Sequence, residues 1–167
     1  MRIAIGSDHS GVELKVHLVK HLKERGFEVH DFGADSQDSV DYPDFARPVA
    51  EAVADDEAAL GVLLCSNGVG VSIVANKISG IRAGLCGDTW SSRRAREHTN
   101  CNVLAMGANL VNPFLAIEIL DAFIDAAGQV GYPKNPDYNG KTQEGFGYYQ
   151  VTQKGGRRYS ASRAFLD

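Results

Sequence analysis

The chain has 167 residues, 44% of them hydrophobic, and its 17 Lys and Arg against 21 Asp and Glu give a formal net charge of −4. That length suits one ordinary domain with a proper core, and the acidic balance excludes the basic face on which nucleic-acid binders rely. Three cysteines (Cys65, Cys86, Cys101) show no C-x-x-C or metal-like spacing, no run approaches the ~20 apolar residues of a membrane span, and Met1 to Gly6 is too short for a signal peptide. A reduced, cytoplasmic protein with no membrane or nucleic-acid partner is expected.

In chain order, apolar runs alternate with amphipathic helical patterns, the sequence form of a parallel α/β sheet. Strands are expected at Ile3 to Gly6, Phe27 to Phe32, Leu60 to Cys65, Ile81 to Cys86 and Asn102 to Met106, enough for a doubly wound sheet of five parallel strands. The first helix reads as a capping box, Ser10 with Glu13, followed by a stripe of Leu14, Leu18 and Leu22 and a stop at Gly26. A second helix opens at Pro43 with Phe45, Val49 and Val53 on one face, and a helix-like segment ends near Lys77. The last opens at Asn112-Pro113 and runs through Leu115, Ile119 and Phe123 to Gly128. A domain over 1–128 and an irregular tail over 129–167, packed on that domain or on a dimer partner, complete the expected organisation.

In an open α/β sheet, ligands sit outside the carboxyl ends of the strands. Asp8 and His9 follow the first strand; Cys65-Ser66-Asn67-Gly68-Val69-Gly70 follows the third. A glycine-bearing turn that feeds a helix points free N–H groups into one concavity, which suits an oxyanion and favours a thiolate. If the first and third strands are neighbours, Asp8, His9, Cys65 and these amides share a crevice. Cys86 and Cys101 read as ordinary buried thiols, and His17, His21 and His30 as surface or core-edge histidines. His98 follows a helix and precedes the strand near Asn102, which puts it at the amino edge, roughly a strand length of 15 Å from Cys65.

The series Gly6-Ser7-Asp8-His9-Ser10-Gly11, Asp41-Tyr42-Pro43, Cys65 to Gly70 with Ser72-Ile73 and Ala75-Asn76-Lys77, Gly80-Ile81-Arg82-Ala83, and His98 ahead of Asn102-Val103-Leu104 resembles the type B ribose-5-phosphate isomerase and galactose-6-phosphate isomerase family. The resemblance covers about the first 125 residues. It implies a three-layer Rossmann-like α/β fold with helices on both faces, a homodimer or dimer of dimers, and aldose-ketose isomerisation of a phosphorylated sugar with no metal or cofactor. By the same resemblance Cys65 is the general base and His98 the acid that opens the sugar ring. Asp8, His9, Tyr42, Ser66, Asn67, Gly68, Val69, Gly70 and Thr99 are implied to bind substrate.

Some positions depart from the family pattern. Asn67 stands where threonine is common, Thr99 where asparagine is common, and Asn109 where many members have a phosphate-binding arginine. The usual arginine-bearing C-terminal motif is absent, while Lys134, Lys141, Lys154, Arg157, Arg158 and Arg163 offer either replacement cations or a solvated basic tail. Ribose 5-phosphate is the first expected substrate. A tetrose 4-phosphate, a hexose 6-phosphate, or a non-catalytic sugar-phosphate-binding subunit are the alternatives; a dinucleotide-binding module is disfavoured because the first strand lacks G-x-G-x-x-G.

Overall fold

A computed structural model of the chain describes residues 1–129 and the short strands at 153–154 and 157–158. In chain order the first unit, Met1–Gln129, contains β1 (Arg2–Ser7), a 3-10 turn at His9–Gly11, α1 (Val12–Glu24), β2 (Glu28–Asp31), α2 (Pro43–Ala54) and β3 (Leu60–Cys65). It continues through α3 (Val69–Asn76), β4 (Ala83–Leu85), α4 (Thr89–Thr99), β5 (Val103–Gly107) and α5 (Pro113–Gln129). Within Val130–Asp167, β6 (Gln153–Lys154) pairs antiparallel with β7 (Arg157–Arg158). The expected docking of the tail and its cations lies outside the described residues, apart from the backbone of those two strands. Among the described residues no helix is long and apolar enough to cross a membrane.

The five strands of the main sheet run parallel in the order β2-β1-β3-β5-β4. Alternation along the buried strands sends Ile3, Ile5, Val62, Leu64, Leu104 and Met106 to one face, against Leu14, Leu18 and Leu22 of α1 and Ile119, Leu120 and Phe123 of α5. Ala4, Leu63, Val103 and Ala105 face the other way, against Val49 and Val53 of α2 and Val71 and Ala75 of α3. The three-layer, doubly wound arrangement expected from the sequence is the one observed. α4 joins the first layer, where the buried Ser92 hydroxyl donates to the Ile119 carbonyl at 2.7 Å. Arg25 ties α1 to α5 by donating to Asp121 at 2.6 Å and Asp125 at 2.7 Å.

Two local expectations are corrected. Ser10 does not cap α1: the helix begins at Val12 with Gly11 as a cap that has no side-chain bond, and Ser10 lies in the 3-10 turn. The chain must turn at once on leaving β1, and Asp8 does the capping, its Oδ1 accepting from Ser10 N at 2.9 Å and Ser10 Oγ at 2.5 Å. Burying a leucine contributes roughly 1.5–3 kcal/mol, so the leucine stripe of α1 outweighs the missing box. β4 spans three residues rather than the six of Ile81 to Cys86. Side chains take over at that edge: Asn76 bonds both the N–H and the carbonyl of Ala83 at 2.9 Å, and Asn102 Oδ1 accepts from Arg82 N at 2.8 Å.

Candidate active site

β1 leads outward to β2 and β3 leads outward to β5 and β4, so the strand order reverses between β1 and β3. A crevice forms at such a switch point. Ser7 pairs with Leu64 across it, and Asp8 N–H donates to the Leu64 carbonyl at 3.2 Å. Asp8, His9 and Cys65 therefore lie at neighbouring strand ends, as the sequence suggested.

Cys65 closes β3 and is 4% exposed. Its Sγ accepts from Gly68 N–H at 3.1 Å. Gly68 has φ +79°, and a Cβ there would lie 2.4 Å from Leu85 Cδ1 and 2.8 Å from the Met106 carbonyl carbon. Only glycine fits both the conformation and the space. Asn67 Oδ1 accepts from Val69 N–H at 3.0 Å and lies 3.9 Å from the thiol. The amides of Gly68 and Val69 are thus occupied, and those of Ser66, Asn67 and Gly70 have no acceptor among the described residues. Of the amides in the turn, those three are therefore the free donors. The turn is stitched to the end of β5 by Ala108 N–H on the Cys65 carbonyl at 2.8 Å and Asn109 N–H on the Ser66 carbonyl at 3.0 Å.

The 32–42 loop brings two further residues to this edge. His9 Nδ1 lies 3.2 Å from Val40 N and 3.3 Å from the Val40 carbonyl oxygen, so the ring is held against the loop backbone. Tyr42 precedes α2, and its ring covers Gly70 so closely that a Cβ there would meet Cε2 and Cζ at 2.9 Å. Sequence reasoning missed what anchors this loop: Lys15 is 2% exposed, and its ammonium pairs with Asp31 at 2.6 Å. Asp31 also accepts from Gly33 N at 3.0 Å, and Gly33 and Ala34 exchange bonds with Ser7 at 2.7 and 2.8 Å. A lysine in a helix otherwise read only for its leucines gave no signal of this.

His98 and Thr99 stand apart. They are exposed at the end of α4, just ahead of β5, whose first residue Val103 pairs with Gly61, whereas Gly107 at the other end pairs with Cys65. Those four residue steps span about 13 Å. Thr99 Oγ1 donates to the Ala95 carbonyl at 2.7 Å and lies 3.1 Å from Cys101 Sγ. Cys86 and Cys101 are buried, as expected, and burial first, then Cys101 and Asp88, pushes the Cys86 thiol up to about 11.

Five parallel strands with helices on both faces, and a thiol beside a glycine turn at the switch point, make this a Rossmann-like α/β fold. The chain belongs to the ribose/galactose isomerase family, whose model matches residues 3–135. It is 47% identical over 130 residues to the ribose-5-phosphate isomerase B of Escherichia coli K12, covering 78% of this chain and 87% of that one. It is 40% identical over 157 residues to the D-erythrulose-4-phosphate isomerase of Pectobacterium atrosepticum, covering 92% and 98%. A solved ribose-5-phosphate isomerase B of Clostridium thermocellum superposes with a TM-score of 0.74 at 45% identity, covering 78% of this chain and 93% of that one.

Proposed function

We propose that the chain interconverts ribose 5-phosphate and ribulose 5-phosphate in the cytoplasm, as a homodimer or dimer of dimers whose sites each draw on two subunits. The family and its relatives make the chain an aldose-ketose isomerase of phosphorylated sugars. The observation that supports Cys65 as its base is the 3.1 Å contact from Gly68 N–H to Sγ, at the switch point beside Asp8 and His9. In the open-chain aldose, the Cys65 thiolate removes the C2 proton, the C–H electrons form the C1–C2 double bond, and O1 becomes an enediolate oxygen. Unpaired amides of the turn stabilise that charge. The O2 proton moves to O1 and the Cys65 proton returns to C1, giving the ketose.

Asp8, His9, Tyr42, Ser66, Asn67, Gly68, Val69 and Gly70 line or shape the pocket in this reading. His98 and Thr99 join from the partner subunit, His98 serving to open the furanose ring, because the strand length between His98 and Cys65 of one chain exceeds the reach of one sugar. A second reading, D-erythrulose 4-phosphate to D-erythrose 4-phosphate, is favoured by one observation: the Pectobacterium relative aligns over 157 residues, well past the end of the sheet domain. Comparing kcat/KM for D-erythrose 4-phosphate, ribose 5-phosphate and a hexose 6-phosphate, with chelator present, decides between them. Binding without turnover on all three sinks both. For the shared site, Cys65→Ala and His98→Ala homodimers are mixed under subunit exchange. Random pairing makes half of the dimers mixed, each with one intact site, so activity on ribose 5-phosphate returns to roughly a quarter of wild type; no recovery after confirmed exchange places both residues in one chain.

A further inference from the structure

Arg94 and His98 are one helical turn apart on α4, with Arg94 Nη1 at 2.8 Å from His98 Nε2. A guanidinium has only donors. Nε2 must therefore present its lone pair, and the single proton of the neutral ring sits on Nδ1. The guanidinium making this contact is itself held from two sides. Its carbon lies 5.6 Å from the centroid of the Trp90 ring, and Nη1 donates to Glu97 Oε2 at 3.1 Å. Trp90 at i−4, Glu97 at i+3 and His98 at i+4 are its neighbours on one helical face. Trp90, 68% exposed, lines a cavity of about 590 Å³ with Ser91, Arg94, Ala95, His98 and Thr99.

We propose that Arg94 is a positioning residue for His98: it fixes the ring as the Nδ1–H tautomer, so that His98 serves ring opening as a neutral hydrogen-bond donor rather than as an imidazolium. This rests on the reading of His98 as the ring-opening group. An imidazolium would set its own Nε2–H against the guanidinium donor, two positive charges and two donors in one contact. In the ring-opening step, the C1–O4 bond of the furanose breaks, C1–O1 becomes the carbonyl, and the O1 proton ends on O4. The Nδ1–H bond stabilises the negative charge building on O4, and His98 ends the step as it began.

The test is NMR of ring-15N-labelled histidines in the whole chain, with His98 assigned by its loss in His98→Ala, alongside steady-state kinetics. Wild type and Arg94→Lys, which keeps a donor at Nε2, are expected to show His98 protonated at Nδ1, while Arg94→Leu lets the proton redistribute between the nitrogens. D-Erythrose 4-phosphate serves as the reference substrate, because its O4 is esterified and cannot close a furanose. The ribose-to-erythrose ratio of kcat is expected to fall about fivefold in Arg94→Leu, with KM within about twofold, and to recover in Arg94→Lys. Protonation at Nε2 in wild type, or an unchanged ratio in Arg94→Leu, overturns the proposal. If His98→Ala loses ring-substrate turnover and Arg94→Leu does not, only the Arg94 inference fails; if His98→Ala keeps it, the ring-opening reading fails as well.

Discussion

The cysteine turn at the carboxyl edge of the sheet and the His98 face of α4 at the amino edge are built from different materials. Around Cys65 the backbone does the positioning: amides, a left-handed glycine and carbonyls bonded to β5 leave the thiol one place to be. On α4, long side chains place each other on an exposed surface, with Trp90 under Arg94 and Arg94 against His98. A charge moved by chemistry needs the first kind of support, since preorganised dipoles cost nothing to reorient during reaction. The second kind suits a group that meets its substrate only when another surface closes over it.

The sharpest way to break this comparison is Cys65→Ala. Loss of the proposed base is expected to lower kcat about a thousandfold while KM and the melting temperature hold, because the amide turn remains. Comparable turnover in that variant would move the base elsewhere, with Asp8 the next candidate. Gly68→Ala attacks the scaffold and keeps the thiol. A Cβ 2.4 Å from Leu85 and a φ of +79° are expected to cost about 2–3 kcal/mol, read as a lowered urea midpoint together with a loss of kcat.

Cys86 supplies a yardstick for an ordinary buried thiol. Its folded value is pushed up to about 11 from 9.0, so as pH rises past 9 the unfolded chain loses this proton first. The stability it contributes is full below pH 9 and is lost as pH approaches 11, at most about 3 kcal/mol. Urea titrations of wild type and Cys86→Ala at pH 8 and pH 10.5 are expected to show a smaller pH-dependent loss in the variant. Smallest of all should be the effect of His98→Ala on stability, within about 0.5 kcal/mol by thermal melting, because the side chain is exposed. A larger loss would show that the α4 face is structural.

Much of this was legible because it follows from periodicity and punctuation. The runs Leu60 to Cys65 and Asn102 to Met106 have few alternatives to buried parallel strands, and the glycines after Cys65 mark the turn. The adjacency of β1 and β3, on which the crevice depends, was a condition that only the fold could supply. Ser10 was misread because a short polar residue before a helix is equally at home as the cap or as the group a cap holds, and Asp8 two residues earlier was the stronger acceptor. Which amides of the turn stay free was not legible, because sequence does not tell which N–H turns toward sulfur. Lys15 and Arg94 were passed over for a shared reason: their roles depend on partners brought close by folding, Asp31 from a strand edge and His98 from the next helical turn.

The stitch between the turn and β5 bears on how this site can diversify. Asn109 holds the Ser66 carbonyl through its backbone amide, while its side chain is exposed at the same edge. Any residue but proline can supply that amide. The position is therefore free to trade an arginine for an asparagine without disturbing the backbone bonds that hold the cysteine turn.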